Sequence, residues 1–342
     1  MVVTQLLTFI FGIVLLILLH ELGHFIAARA LNVEVEEFGL GFPPKVTRLF
    51  RAWGTDFTLN AIPLGGFVRP KGENDPNVEG GLAAASPWVR LVVLVAGPAM
   101  NLMIGVLLGV IIFYNMGKPV TNKVVVDLVS PGSPAEQAGL LPGDLITQIN
   151  GQKINSQQTL QQVVTQNLGT PISITYQRNG QSDTITLVPR TNPPAGQGAI
   201  GIRMTNPTTP VSIGEAVTEG FTATYDNVRG ILALPVRVIQ GQASPSEGRL
   251  VGYRGMFEIY QQIFNPLWFF MAISISLGVI NLMPFPALDG GRILMTMPEI
   301  LFRRRIPQKY ENAINLIGFA ILLMVLIYVN VQDFINPIQL PK

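Results

Sequence analysis

Two histidines and a glutamate lie within five residues of one another near the start of the chain. The stretch "HELGH" places His20, Glu21 and His24 inside an otherwise apolar run at about residues 5–31. On a helix, residues four apart lie on one face, so both imidazoles can bind a single metal ion. Zinc fits this pattern because it accepts neutral imidazole and lowers the pKa of a bound water. Glu21 is close enough to take a proton from that water.

The sequence also restricts the third ligand that a catalytic zinc needs. The chain has no other histidine and no cysteine, so the remaining protein ligand must be a carboxylate. Glu34, Glu36 and Glu37 are near in sequence but follow the apolar run. Asp289 is the better candidate, because it follows an apolar span broken by two prolines and precedes two glycines that let the backbone turn. We therefore predict Asp289 as the third ligand.

The composition indicates a chain that crosses a membrane several times. Of 342 residues, 48% are hydrophobic and 13% are charged, and the mean hydropathy is +0.40. Ionisable groups inside apolar spans are costly and are kept mainly for function, which favours a catalytic role for HELGH over a chance match. The net charge of +2 and the scattered basic residues argue against a nucleic-acid partner. We predict four transmembrane helices, at about residues 5–31, 87–114, 265–283 and 313–329.

The segments between these spans differ in character. Residues 1–118 are predicted to form the first part of the membrane core, with β-hairpin elements at about residues 35–75. Residues 119–190 alternate like a soluble α+β domain with hairpins that turn at Asn-Gly pairs. Residues 191–262 are predicted to be a linker with amphipathic or surface helices. Residues 263–342 complete the membrane core.

Basic residues in the short loops predict the orientation. The loop between the third and fourth spans carries Arg292, Arg303, Arg304, Arg305 and Lys309, whereas no charge precedes the first span. By the positive-inside rule, this loop is cytoplasmic. The N-terminus and the soluble domain are therefore expected outside the cytoplasm. The HELGH cluster, in the second half of a span that enters from outside, is expected to open toward the cytoplasmic side.

Three motifs together resemble the site-2 protease family of intramembrane zinc metalloproteases. They are HELGH, "GPAMN" at residues 97–101 and "NLMPFPALDGG" at residues 281–291. The match is closest to the bacterial regulated-intramembrane-proteolysis branch with one inserted PDZ domain, which "SPGSPAEQAGLLPGDLITQINGQKI" resembles. The resemblance implies an α-helical polytopic membrane protein with membrane-associated β elements and an extracytoplasmic PDZ domain. It also implies that zinc is bound by His20, His24 and Asp289, with Glu21 as the catalytic base.

The resemblance further implies substrate-binding residues. Asn281 resembles the family asparagine that holds the substrate backbone, with a helix cap as the alternative. Gly97 and Asn101 match the motif of the second span, although close helix packing explains a glycine equally well. The stretch "NAIPLGGFVRPKG" resembles a β element to which an unwound substrate adds as a strand. Gly65 and Gly66 would keep that edge accessible, with a plain turn as the alternative.

The sequence therefore predicts a zinc endopeptidase that cuts in or near the transmembrane segment of single-span membrane proteins. Anti-sigma factors, membrane regulators and signal-peptide remnants are the expected kinds of substrate, and the PDZ domain is expected to bind peptide ends or to act as a size filter. The expected location is the bacterial plasma (inner) membrane, with a plastid membrane as the alternative. One rival is a noncatalytic membrane-anchored PDZ adaptor. Another is a secreted zinc protease with a signal peptide that ends at residues 28–30.

Overall fold

A computed structural model describes residues 2–194, 196–243, 248–263 and 265–337. The chain divides into two compact units. Of the described residues, the membrane-rich unit contains those up to Ile112 and residues 214–337, and the soluble unit contains Phe113–Ile213. In chain order the elements are α1 (Val2–Ala30), β1 (Val35–Ala52), β2 (Thr55–Pro70), α2 (Pro87–Met116), β3 (Lys118–Pro119), β4 (Val124–Val129), α3 (Pro134–Gln137), β5 (Leu145–Ile149), β6 (Gln152–Lys153), α4 (Gln157–Gln166), β7 (Ile172–Arg178), β8 (Gln181–Leu187), β9 (Ile202–Thr205), β10 (Thr208–Thr209), α5 (Ile213–Ile239), α6 (Tyr253–Gln262), α7 (Pro266–Asn281), α8 (Asp289–Phe302) and α9 (Gln308–Ile335).

Three of the described helices are long and apolar enough to cross a membrane. They are α1, α2 and α9, with 29, 30 and 28 residues. At about 1.5 Å per residue, each reaches about 42–45 Å, which matches a bilayer with its headgroups. They lie where three of the four spans are predicted.

The predicted third span, at about residues 265–283, differs from the other three. Its helix α7 has 16 residues, or about 24 Å, whereas the hydrocarbon core is about 30 Å thick. The helix ends at Asn281 because Pro284 and Pro286 follow, and proline cannot continue a helix. The chain then turns and enters α8 at Asp289. In the part of the chain that the structure describes, three spans instead of four therefore meet the length requirement.

The strands β1 and β2 form a long, bent hairpin between α1 and α2. Residues 56–58 of β2 pair with residues 48–51 in the outer part of β1, and also with residues 37–39 in its inner part. That inner part pairs on its other side with residues 66–70 of β2. The first half of β2 is thus in the middle of a small sheet, and residues 66–70 form one of its edges.

The helices after the soluble unit pack on the spans. In α5, Gly220 crosses Gly109 of α2 so closely that a Cβ on Gly109 would lie 2.9 Å from the Cα of Gly220. In α6, Tyr260 is buried against Phe9 of α1, and its hydroxyl lies 2.8 Å from Oγ1 of Thr8. The segment predicted as a linker with surface helices therefore contributes two helices to the membrane-rich unit.

The soluble unit is built on an antiparallel sheet with strand order β8-β7-β5-β4-β9, and β6 pairs with β5. Its apolar side chains alternate with polar ones along the strands, and the inward set forms one core. The most buried members of this core include Val124, Val126, Ile146, Ile149, Leu160, Ile172 and Ile174. The last two strands pair with β4 and β3. The unit thus extends past residue 190, where its end is predicted.

Candidate metal centre

The three predicted ligands converge in the membrane-rich unit. Nε2 of His20 and Nε2 of His24 are 3.2 Å apart, and Oδ2 of Asp289 lies 3.2 Å from the first and 3.4 Å from the second. A tetrahedral zinc ion with bonds of about 2.0–2.1 Å separates its ligand atoms by about 3.3–3.4 Å. The spacing and the donor set of two imidazoles and one carboxylate therefore fit zinc.

The ring of His24 occupies the space that a side chain at position 97 would fill. A Cβ on Gly97 would lie 2.2 Å from Nε2 of His24, and a Cβ on Gly23 would lie 2.4 Å from the carbonyl oxygen of Ala96. The helices α1 and α2 therefore approach closely only because both positions are glycine. Nδ1 of His24 lies 2.8 Å from the carbonyl oxygen of Val93. By donating there, Nδ1 keeps the proton and leaves the Nε2 lone pair for a metal.

Asn101 contacts His20 on the side of the ring opposite Asp289. Its side chain is fully buried, and its Nδ2 lies 3.1 Å from Nδ1 of His20, the ring nitrogen that does not face Asp289. Its backbone oxygen accepts a hydrogen bond of 2.8 Å from Oγ of Ser274 in α7. Its own Oδ1 is buried with no hydrogen-bond partner among the described residues. Asn101 thus joins α1, α2 and α7 at the metal centre.

Glu21 is held by the edge of the hairpin sheet. The backbone N–H of Val68 donates to Oε2 of Glu21 over 3.0 Å. Two residues earlier on this edge, a Cβ on Gly66 would lie 2.7 Å from Cδ2 of Leu18 and 3.0 Å from the carbonyl oxygen of Gly39. The strand therefore approaches α1 closely because position 66 has no side chain.

Two glycines place Asp289 at the start of α8. A Cβ on Gly290 would lie 2.2 Å from the carbonyl oxygen of Met283, and a Cβ on Gly291 would lie 2.2 Å from that of Phe285. The first turn of α8 thus closes directly onto the preceding turn of the chain. Oδ2 of Asp289 accordingly faces the Nε2 atoms of both histidines.

The metal centre lies in an open cavity of about 350 Å³. Besides the metal ligands, the sequence predicts five site residues: Glu21, Asn101, Asn281, Gly65 and Gly66. All of them except Gly65 line this cavity. Gly65 has a φ of +98° and lines a separate apolar cavity of about 200 Å³ beside α1. The structure thus brings Asn281 and Gly66 to the metal centre and places Gly65 next to it.

Sequence reasoning missed two contributors to this cavity. One is the Val68 amide, a backbone group that no residue pattern indicates. The other is Arg292, which lines the cavity and pairs with Glu73 of the loop before α2. The signal for Arg292 was its position three residues after Asp289, which is one helical turn.

The three alternative ligands lie elsewhere. Glu34, Glu36 and Glu37 belong to the hairpin and its approach, and each has a partner that is not a histidine. These partners are Lys71 at 2.9 Å, Arg69 at 3.4 Å and Thr58 at 2.6 Å, respectively. Among the described residues, the grouping of possible metal ligands is the one formed by the two histidines and Asp289.

Comparisons with known proteins match almost the whole chain. A family model described as "Peptidase family M50" matches residues 8–325. Two similar bacterial proteins are both named "Putative zinc metalloprotease". CPE1693 of Clostridium perfringens is 32% identical over 328 residues, covering 94% of this chain and 96% of its own. Cj1068 of Campylobacter jejuni is 34% identical over 349 residues, covering 93% of this chain and 90% of its own.

A solved structure matches a smaller part. The PDZ domain of the SdrC-like protein Lmo2051 from Listeria monocytogenes is 26% identical, over 25% of this chain and 92% of that chain. The TM-score is 0.23, which does not establish a shared fold.

Replacing Gly97 by alanine should displace the His24 ring, because the new Cβ would overlap its Nε2 atom. We expect the affinity for zinc to fall by about ten- to hundred-fold, as for other changes beside a metal ligand. Competition with a chelating dye on detergent-purified protein measures this. Gly230→Ala is the control, because Gly230 also lies in a helix but a Cβ there would have no atom within 4 Å. Equal affinity in Gly97→Ala and the parent would contradict the placement of His24.

Replacing Asp289 by alanine should remove the third ligand. We expect the zinc content of the purified protein to fall from about one ion per chain to nearly none, as measured by atomic absorption. Glu34→Gln is the control, since Glu34 is an alternative ligand by sequence and pairs with Lys71 in the structure. Loss of zinc from Glu34→Gln together with retention by Asp289→Ala would reverse the assignment.

Proposed function

The chain belongs to peptidase family M50, and we propose that it hydrolyses peptide bonds in or near the transmembrane segment of single-span membrane proteins. It is a zinc metalloprotease of the site-2 protease type, as family membership and the similar proteins show. The noncatalytic adaptor is not favoured by this membership. The proposed substrates are anti-sigma factors, membrane regulators or signal-peptide remnants.

The depth of the metal centre along α1 is the observation that carries this proposal. His20 lies ten residues before the end of α1 at Ala30, which is about 15 Å along the helix axis. A helix of this length spans the bilayer with its headgroups, so a group about 15 Å from its end lies at the depth of the hydrocarbon core. A peptide bond that reaches this centre therefore comes from a membrane segment.

We assign the proton transfers of the reaction to Glu21. Zinc, when bound by His20, His24 and Asp289, supplies a Lewis acid that activates water and polarises the scissile carbonyl. The Val68 amide engages Oε2 of Glu21, so Oε1 is the atom that accepts the proton of the attacking water. Glu21 then delivers this proton to the leaving amine nitrogen, which restores its carboxylate as the peptide bond breaks.

The edge of the hairpin sheet is the proposed binding site for the unwound substrate. A transmembrane helix hides its carbonyl groups in its own hydrogen bonds, so it must be extended before water can attack. The Val68 amide points outward from residues 66–70 toward Glu21, and Gly66, two residues away, has its backbone groups on the same side of the strand. An extended segment can add to this edge. Asn281 lines the same cavity and can hydrogen bond to the segment.

We propose that Asn101 positions His20 and does not touch the substrate. To bind zinc through Nε2, a neutral His20 must carry its proton on Nδ1, which then needs an acceptor. The buried amide of Asn101 is the group at that position. A half-turn of this amide brings Oδ1, which has no other partner among the described residues, to Nδ1–H.

The soluble unit is proposed to be an extracytoplasmic PDZ domain. A groove of about 490 Å³ lies between α4 and the segment that leads into β9, and it includes Leu160, Val164 and Ile202. Since β9 lies at the end of the sheet, a peptide end can add there as a strand with an apolar side chain in the groove. The alternative role for this domain is a size filter that admits only shortened substrates.

The proposed topology follows from the basic residues of the loops. The N-terminus is placed outside the cytoplasm and the loop between α8 and α9 inside, in a bacterial plasma membrane, because that loop is rich in arginine. The short helix α7 completes a fourth crossing if the bilayer thins locally or the following turn covers the remaining depth.

Glu21→Gln should abolish cleavage while zinc stays bound. The amide keeps the shape of the side chain but cannot accept the proton, and loss of a general base costs about 10²–10⁴-fold in rate. The assay uses protein reconstituted with a single-span substrate, with products identified by mass spectrometry and zinc by atomic absorption. Glu36→Gln is the control, because Glu36 is exposed and pairs with Arg69. Undiminished cleavage by Glu21→Gln would refute the assigned base.

Asn101→Leu and Asn101→Asp should behave differently. Leucine has a similar volume but no acceptor, so we expect zinc affinity to fall about ten- to hundred-fold. Aspartate retains an acceptor for Nδ1–H and should keep zinc affinity near that of the parent. Chelator competition measures both. If Asn101 instead held substrate, zinc affinity would be unchanged in both variants and KM would rise.

A further inference from the structure

The tip of the β1–β2 hairpin carries more positive charge than its own carboxylate can neutralise. Lys45, Arg48 and Arg51 all approach the carboxylate of Asp56, with N–O distances of 3.8, 3.5 and 3.6 Å. Their side chains are 44%, 53% and 63% exposed. Three cations that share one carboxylate leave an excess of two positive charges. Elsewhere on the hairpin the carboxylates have basic partners of their own: Glu34 pairs with Lys71, and Glu36 and Glu37 share Arg69.

The strand pairing places these three cations on one face. In β1 they are three residues apart, and they pair with Asn60, Thr58 and Asp56, which are two residues apart in β2. The register shifts once between residues 45 and 47 and again between residues 48 and 50. Residues two apart in a strand share a face, so these three residues of β2 lie on one face of the sheet. The three cations opposite them in β1 lie on that same face. Two bulges therefore gather three basic side chains that a regular strand would divide between two faces.

The turn at the tip holds an unusual residue. Trp53 and Gly54 connect the strands with φ values of +51° and +80°. Turns of this kind favour Asn-Gly, and a bulky aromatic residue rarely adopts a positive φ. Trp53 is nevertheless 70% exposed. Backbone strain of this kind indicates a function for the side chain at that position. Tryptophan is enriched at membrane–water interfaces.

The hairpin tip also lies at the level of the membrane surface. Trp53 and Arg51 line a polar cavity of about 390 Å³ together with Arg29, which is in the last turn of α1. The carboxylates that line this cavity are Glu34, Glu36 and Asp56, each with a basic partner. The 29 residues of α1 reach about 43 Å, the thickness of a bilayer with headgroups. Its last turn, and with it the tip, is therefore at headgroup depth.

We propose that the hairpin tip, residues 45–54, binds the headgroups of anionic phospholipids. Lys45, Arg48 and Arg51 contact the lipid phosphates, while Asp56 keeps them on one face without neutralising them. Trp53 inserts its ring among the headgroups and anchors the tip. The outer end of the hairpin then holds the sheet against the membrane, while its inner edge presents Val68 to the metal centre.

The test measures which lipid lies beside Trp53. The full chain with Trp88→Phe and Trp268→Phe retains Trp53 as its single tryptophan. It is reconstituted into vesicles of phosphatidylcholine and phosphatidylglycerol in which one lipid at a time carries brominated acyl chains, which quench tryptophan fluorescence. At equal mole fractions, we expect brominated phosphatidylglycerol to quench at least about twofold more than brominated phosphatidylcholine.

Matched charge changes show whether the basic residues of the hairpin tip cause the preference for phosphatidylglycerol. Arg48→Gln/Arg51→Gln should abolish the preference for phosphatidylglycerol, whereas Arg48→Lys/Arg51→Lys should retain it. Arg303→Gln/Arg304→Gln removes the same charge from exposed residues at the end of α8 and should retain the preference. Zinc content checks that each variant is folded. Equal quenching by both lipids in the parent, quenching by neither, or an unchanged preference in Arg48→Gln/Arg51→Gln would each overturn the proposal.

Discussion

The approach of the Asp289 carboxylate to two imidazoles is the constraint on which the membrane-rich unit depends. Donor atoms 3.2–3.4 Å apart remain together only if the surrounding backbone holds them there. Glycines provide this support by allowing contacts that any side chain would block. The His24 ring packs directly on Gly97, and Pro286 packs directly on Gly318 of α9, where an added Cβ would lie 2.4 Å from the proline Cβ. The metal centre is thus positioned by close backbone packing of several helices.

Irregular backbone between two apolar helices of the membrane-rich unit is a cost of this arrangement. The turn between α7 and α8 leaves peptide groups without helical partners, which lipid could not satisfy. Two of its residues, Ala287 and Leu288, line the cavity of the metal centre, where water can reach them. The amide of Ala287 also donates to Oδ1 of Asn315 in α9 over 3.1 Å. The short α7 and the cavity are therefore linked, because a continuous helix could not present Asp289 beside the histidines.

The β1–β2 hairpin connects Glu21 to the exposed basic residues of its tip. Its inner edge gives the Val68 amide to Glu21, and its outer tip carries the shared cations around Asp56. Aromatic stacking joins the two ends: Phe57 stacks on Phe50 of the outer part and on Phe38 of the inner part, with ring centroids 4.5 and 5.6 Å apart. A single sheet thus spans from the Glu21 carboxylate to the basic residues of the hairpin tip. The position of this sheet sets where its edge at residues 66–70 lies, and a substrate strand is proposed to add to that edge.

Local patterns in the sequence were enough to predict several features of this protein. The helix period places His20 and His24 on one face, long apolar runs indicate the spans, and the absence of other histidine or cysteine makes a carboxylate the third ligand. These inferences rest on neighbouring residues or on composition, which folding does not change. The structure places Asp289, 265 residues after His24, beside both histidines.

Only the tertiary structure decided the features that depend on packing between distant segments. It showed Asn101 behind His20, the Val68 amide on Glu21 and the His24 ring against Gly97. It also showed that the third apolar run forms a helix of only 16 residues. Hydropathy counts apolar residues but does not say where a helix stops, and residue types do not specify which backbone amide faces a carboxylate. Such contacts are determined when helices and sheet pack together, because each depends on the position of a partner far away in the chain.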